Sequence, residues 1–197
     1  EVGKDYPDQA IKVGDRIATL VSLTATPLDI KAIHHIDFAK ERIEVDAKAF
    51  LFAKSLYAKM PEGISDGAAL AAFDICGAPL IAVNHAKVGD TVFVLGLGKA
   101  GKAVMAALRY RFGDKVTLLG ADANEVALDF CAKNYGAITA KLNAQDPIEV
   151  LSWVEKNTQG ELADFVINLV NVPHTEMPTI LSTKDTGKSL FFSMATD

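Results

Sequence analysis

The sequence predicts an α/β protein: a doubly wound parallel sheet preceded by a smaller β domain. Three observations predict it. From Asp90 onward, apolar runs of strand length alternate with amphipathic stretches of helix length. Those strand-like runs are apolar on both sides, as strands covered by helices on two faces must be. Ahead of them, strand-like runs are separated only by polar turns.

In the first portion, KVGDRIATLVSLT (12–24) reads as a Gly14-Asp15 turn feeding a strand rich in β-branched residues. Strands follow at 30–36 and 42–52, divided by the polar DFAKE, and SLYAKMPE (55–62) is a short extended piece ending at Pro61. Ser65 then suits the N-cap of the alanine-rich helix DGAALAAFDI, and Pro79 suits the first turn of a second helix. The reading places a domain boundary near residue 75, dividing 1–75 from 76–197. In the second portion strands are expected at 91–95, 115–120, 137–140, 164–169 and 188–193. Helices are expected at 99–111, 124–135, 147–157 and around 174–183. Right-handed crossovers make such an alternation doubly wound.

Composition narrows the chemistry. The 197 residues carry a net charge of −5, with Lys and Arg scattered rather than in blocks. No basic stripe exists to displace counterions from nucleic-acid phosphates, so nucleic acid is not an expected partner. The two cysteines, Cys76 and Cys131, lie far apart and outside any CxxC pair, which excludes a disulfide framework and a four-cysteine zinc site. No GxSxG elbow is present for nucleophilic hydrolysis. With no signal peptide and no apolar run of membrane length, the expected compartment is the cytoplasm and no membrane partner is expected. The chain opens on Glu1 in mid-stream and reads as a piece of a longer protein.

The chemistry-bearing motif is VFVLGLGKAGKAVMAAL, residues 92–108. Gly96-Leu97-Gly98-Lys99-Ala100-Gly101 matches GxGxxG between a buried strand and a helix, the context that gives the motif meaning. Gly96 permits the tight turn, Gly98 lets backbone approach a pyrophosphate, and Gly101 lets helix and strand pack closely. The helix N-terminus offers free N–H groups and a positive dipole end to phosphate. The next strand, KVTLLGAD, ends in Asp122, 21 residues beyond Gly101. A carboxylate there accepts from a ribose 2′-OH and repels a 2′-phosphate, favouring NAD while leaving NADP open. The other reading of Asp122 is a cap for the helix beginning near Asn124.

The cofactor is expected to lie across the carboxyl ends of the strands, with Val170–Asn171 and Ser193–Met194 reaching its nicotinamide end. Asp74, between Phe73 and Ile75 at the domain junction, is either a helix-end hydrogen-bonding group or a wall of the substrate cleft. It is the one general-base candidate in the chain. His34 and His35 are strand neighbours on opposite faces and cannot chelate one ion. Trp153, with Val150, Leu151 and Val154, reads as core.

This pattern resembles the medium-chain dehydrogenase/reductase superfamily. KVGDRIATL is similar to the turn and strand of its GroES-like catalytic domain, and YAKMPEGISDGAALAAFDICGAP to its domain crossover. VGDTVFVLGLGKAGKAVMAAL and LGADANEVALDFCAKNYGA are similar to its cofactor loop and its second strand and helix. ADFVINLVNVPHTEMPTILSTKDTGKSLFFSMATD (163–197) and DRIATLVSLTATPLDIKAIHHID (15–37) resemble the L-erythro-3,5-diaminohexanoate dehydrogenase branch. The resemblance implies a Rossmann doubly wound parallel sheet, C-terminally truncated, preceded by a partial GroES-like β domain. It also implies NAD-dependent oxidative deamination of the diamino acid to 5-amino-3-oxohexanoate in lysine fermentation. Medium-chain relatives usually dimerise, so a homodimer is an expected assembly. Where zinc-dependent members place a cysteine ligand this chain has Ala71, Cys76 lies several residues off, and the cysteine-rich zinc lobe is missing. Zinc is therefore not expected, since an amine nitrogen stabilises the developing cation itself. The alternatives are a zinc-independent alcohol dehydrogenase or quinone reductase, or a non-catalytic NAD-binding protein.

Overall fold

A computed structural model describes residues 3, 11–19, 26–39, 42–52, 55 and 57–192. The chain divides into two compact units, Glu1–Phe73 and Asp74–Asp197.

The first unit holds two small antiparallel sheets of the kind found in a GroES-like subdomain. Strand β1 (Ile17–Thr19) pairs with β4 (Tyr57–Lys59), and β2 (Leu28–Asp37) with β3 (Arg42–Ala49). Lys59 forms an ion pair with Asp15 in the turn before β1, at 2.9 Å. The β2–β3 ribbon sorts its side chains by period two. Leu28, Ile30, Ile33 and Ile36 lie opposite Ala49, Ala47, Val45 and Ile43, while Asp29, His35 and Asp37 lie opposite Lys48, Glu44 and Arg42. Two register shifts in β2, between Ile30 and Ala32 and between Ile33 and His35, keep its unevenly spaced apolar residues in step with β3. Helix α1 (Asp66–Ile75) starts after Ser65, whose Oγ accepts from Ala68 N–H at 3.3 Å.

The second unit is a five-stranded parallel sheet with helices packed on it. Helix α2 (Gly77–His85) leads into β5 (Thr91–Leu95), α3 (Lys99–Phe112), β6 (Thr117–Asp122) and α4 (Glu125–Tyr135). Then come β7 (Ile138–Lys141), α5 (Pro147–Thr158), β8 (Ala163–Asn168), α6 (Glu176–Leu181) and β9 (Thr183–Phe191). The strand order is β7-β6-β5-β8-β9. The chain reverses direction across the sheet between β5 and β8, and in such sheets ligands bind beyond the carboxyl ends of the strands at that point.

Local signals set the helix limits. Asn124 caps α4, its side chain accepting from Val126 N–H, and Gly136 ends the helix in the left-handed region. Asp146 caps α5 by accepting from Ile148 and Glu149 N–H, with Pro147 in the first turn. One core layer gathers Val92, Val94, Leu97, Met105, Leu108 and Ile167 with α2, α3 and α4. The other gathers Phe93, Leu95, Leu119, Val150, Val154 and Val166 with α5. Trp153 packs on that second layer, its ring 5.8 Å from Phe93. Cys131 is fully buried, and burial pushes its thiol pKa up, leaving it a packing residue.

The largest departure from the sequence reading is the last strand, expected at 188–193 and found from Thr183 to Phe191. Lys184, Asp185 and Gly187 disguise its first half. They fall in a bulge of β9 between the Ala163–Thr183 and Phe165–Lys188 pairs, where a Cβ on Gly187 would lie 2.9 Å from Asp164 O and Lys184 Nζ reaches Asp164 Oδ1 at 2.9 Å. Helix α6 is correspondingly shorter than the 174–183 expectation, as the chain turns from Leu181 straight into the strand.

Asp164 also accepts from the Thr91 N–H at 2.8 Å, tying β8 to the start of β5. Burial by itself would raise its pKa, but the bonds from Thr91 and Lys184 outweigh it and the carboxyl is held below its ordinary value of 3.8. A group depressed on folding contributes stability that is full above its unfolded pKa and is lost as pH falls through the folded one. The stability gap between wild type and Asp164→Asn is therefore expected to close as pH is lowered below 3.8. Paired thermal melts across pH 7 to 2.5 check it, and a gap independent of pH contradicts it.

Candidate coenzyme site

The glycine loop occupies the end of β5 and the first turn of α3. Gly96 has φ of +96°, and its N–H donates to Ala121 O at 2.8 Å. A Cβ there would lie 2.9 Å from Val170 Cγ2. A Cβ on Gly101 would lie 2.1 Å from Gly96 O. Both residues are bare because the protein itself occupies the space. Gly98 differs: a Cβ there would meet nothing within 4 Å. It is the N-cap of α3 and makes no side-chain cap. The first helical bond runs from Lys102 N–H to Gly98 O, so the N–H groups of Lys99, Ala100 and Gly101 have no helical acceptor. Open space beside unsatisfied donors is the cradle that a pyrophosphate fills.

Leu97 has a double character. Its side chain is fully buried in the core, under Gly120, while its N–H points to the Asp122 carboxylate. Asp122 Oδ2 accepts from Leu97 at 2.6 Å and Oδ1 from Asn124 at 2.8 Å. The side-chain cap of α4 is Asn124, and Asp122 braces the turn into that helix by accepting from the N–H of the capping residue. A carboxylate has about four lone-pair sites, and two remain for a ribose diol.

A cavity of about 220 Å³ opens beside these residues. Its floor is the ends of β5 and β6, including Gly96 and Asp122. One wall is the β7–α5 loop (142–145), the other the β8–α6 loop through Val170 and Val172. The β7–α5 wall has no counterpart in the sequence reading. Its signal is LNAQDP directly after an expected strand, where an Asx turn and a helix cap share five residues.

A second residue absent from the sequence reading is Asn168. It is fully buried at the end of β8. Its Oδ1 accepts from Val170 N–H at 3.0 Å, and its Nδ2 donates to Thr175 O at 3.1 Å and Thr175 Oγ1 at 2.9 Å. One amide thus closes both ends of the loop that carries Val170 and Asn171. A polar residue ending the apolar run DFVIN was the available signal.

Of the other expected site residues, Lys99 is exposed and Ala100 half-buried in the first turn of α3, and Asn171 is exposed in the β8–α6 loop. Ser193 and Met194 lie outside the described residues. Asp74 lies in α1, and its side chain is likewise outside them. Among the described residues no three His, Cys, Asp or Glu side chains form a metal-binding group. No single described helix is long and apolar enough to cross a membrane.

A parallel sheet in this order, the bare loop over α3 and an acid ending the next strand define a Rossmann-type unit for an NAD-type dinucleotide. With the two small sheets ahead of it, the architecture is typical of medium-chain dehydrogenase/reductase folds.

The particular match is to L-erythro-3,5-diaminohexanoate dehydrogenase, as a partial one. The family model described as the L-erythro-3,5-diaminohexanoate dehydrogenase N-terminal domain matches residues 1–61. The enzyme of that name from Acetoanaerobium sticklandii is 39% identical over 200 residues, covering 100% of this chain and 58% of the relative. That from Fusobacterium nucleatum is 38% identical over 201 residues, with the same coverage of 100% and 58%. The chain therefore spans well under two thirds of the curated relatives it matches. Among solved structures, a quinone oxidoreductase from Pseudomonas syringae pv. Tomato superposes with a TM-score of 0.67 at 18% identity. That likeness covers 93% of this chain and 50% of the other, and it concerns the fold alone.

Proposed function

We propose that the protein belongs to an NAD-dependent dehydrogenase that deaminates L-erythro-3,5-diaminohexanoate oxidatively: loss of hydride to NAD and of a proton leaves an imine, which water hydrolyses to 5-amino-3-oxohexanoate and ammonia. The observation that carries the coenzyme half is Gly98, open beside the free N–H groups of α3 and facing no protein atom. The substrate half rests on the match to enzymes of that name along the whole chain.

Bound NAD supplies the hydride acceptor. The chain's own part is to hold it. Gly96 and Gly101 shape the loop, and residues 98–101 bind the pyrophosphate through backbone N–H groups. Asp122 takes the adenosine ribose hydroxyls on the lone pairs left by Leu97 and Asn124. Val170 and Asn171, with Ser193 and Met194, orient the nicotinamide end. The amine must lose a proton before its nitrogen can assist, which calls for a base, and Asp74 is the candidate in this chain. In this reading residues 1–75 are part of the catalytic domain and 76–197 the coenzyme domain. The assembly is a homodimer in the cytoplasm.

Purified protein given NAD and the diamino acid is expected to raise absorbance at the NADH band and release one ammonia per NADH. Gly98→Val is expected to weaken NADH binding at least 100-fold, a loss of about 2.7 kcal/mol, with an unchanged melting temperature. Turnover of secondary alcohols or quinones instead of the diamine overturns the substrate, and unaltered NADH binding by Gly98→Val overturns the site.

A further inference from the structure

Strands β7 and β8 are separated in the sheet by β6 and β5. At the usual spacing of neighbouring strands their ends stand about 14 Å apart. The loops that follow them nevertheless touch. Gln145 Nε2 donates to Pro173 O at 3.0 Å. Ala144, Gln145, Val170 and Val172 all line the cavity, with Asp122 on its floor.

Each loop is stiff in its own right. On the β7–α5 side, Gln145 N–H donates to Asn143 Oδ1, Asn143 N–H to Glu149 Oε2, and Asp146 N–H to Asn143 O. On the β8–α6 side, Asn168 holds both ends, and His174, beside Pro173, sits at φ of +67° in a turn that non-glycine residues seldom adopt. Behind the walls α5 packs against α6, and at the loop tips the exposed Gln145 side chain bridges one wall to the other, as a latch closes a jaw. The Asn143 turn fixes the Gln145 backbone and leaves its side chain to span the gap.

We propose that Gln145 is a positioning residue for the adenosine half of the coenzyme, latching the two walls at the spacing that grips it. The inference rests on the dinucleotide reading of the cavity. Without the bond the walls keep their own structure and their packing through α5 and α6, but their tips lose the link that fixes their spacing, so the bound adenosine leaves faster. A residue that only stabilised the fold would instead show in the melting temperature.

Calorimetric titration of the protein with ADP-ribose, together with thermal melts, tests this on three forms. Gln145→Met keeps the length and removes the donor, and is expected to weaken ADP-ribose three- to tenfold with an unchanged melting temperature. Gln145→Lys keeps an N–H donor of similar reach and is expected to restore binding to within twofold of wild type. Equal affinity of Gln145→Met and wild type overturns the latch alone, as does a Gln145→Lys that binds as weakly as Gln145→Met. If wild type takes up no ADP-ribose, the dinucleotide reading falls and the latch falls with it.

Discussion

Gly101→Ala is expected to cost about 3 kcal/mol or more of folding stability, at the upper end of the range for an overpacked core. For a domain of this size that lowers the melting temperature by roughly 6–12 °C. The new Cβ would sit 2.1 Å from Gly96 O and 3.0 Å from Gly96 C, both backbone atoms. Neither can step aside. Gly96 is pinned by its bond to Ala121 O, Leu97 by its bond to Asp122, and Val170 packs against the loop from the far side. The relief left is for α3 to retreat from the sheet, and α3 buries Val104, Met105 and Leu108 against it. On the proposed function coenzyme binding would fall with the helix, because the free N–H groups of its first turn move with it. Melts of Gly101→Ala beside Gly98→Ala isolate the cause. Both changes add one methyl to the same loop, but Gly98 faces open space and should melt within about 2 °C of wild type. Equal stability of the two variants would refute the packing described for the loop.

The contrast shows what a GxGxxG pattern can and cannot say. The spacing marks three places where a side chain is unwelcome, and the buried strand before it and the helix after it place the motif in a parallel sheet. The pattern does not say which glycine is bare for the protein and which for a ligand. That depends on Val170, seventy-four residues beyond Gly96 in the chain and in contact only after folding. Asp122 is similar. Its position at the end of KVTLLGAD was readable, whereas its bond to Leu97 N–H follows from the parallel pairing of Leu95 with Ala121. The acid therefore helps shape the loop besides lining the cavity, and replacing it would also leave the Leu97 N–H without its acceptor. The strands read most easily were those with both faces buried, where apolar residues run without interruption. Strand β9 was harder, since Lys184, Asp185 and Gly187 fall in a bulge between its Thr183 and Lys188 pairings with β8, which no period-two pattern marks. Asn143 and Gln145 were missed for a different reason. A loop's role depends on which other loop it meets, and no periodicity encodes that.

Asn168 makes the strongest case for a side chain whose importance appears only in three dimensions. In the sequence it is one amide closing an apolar run; in the structure it serves three groups with no exposed surface. Asn168→Ala leaves the Val170 N–H without its acceptor and takes the amide donor from Thr175, whose carbonyl keeps its bond from Thr179 Oγ1. At about 1–3 kcal/mol for the one group left unsatisfied, the loss is roughly 2 kcal/mol and about 6 °C of melting temperature. Thr175 also accepts through its carbonyl from Thr179 Oγ1 at 2.7 Å, and Thr179 O accepts from Thr183 Oγ1 at 2.8 Å. The disturbance therefore runs down α6 to the start of β9. Asn168→Asp separates hydrogen bonding from volume. Its first oxygen still accepts from Val170, but the second replaces a donor and faces the Thr175 carbonyl, so the two repel. Burial and that repulsion both raise the pKa of the introduced carboxyl. Protonation restores a donor, so the deficit of Asn168→Asp relative to wild type is expected to be greatest above its raised pKa and to shrink as pH falls through it. Thermal melts of the three proteins from pH 8 to 4 decide the matter: an Asn168→Asp deficit that stays constant over that span would mean that this amide packs without bonding.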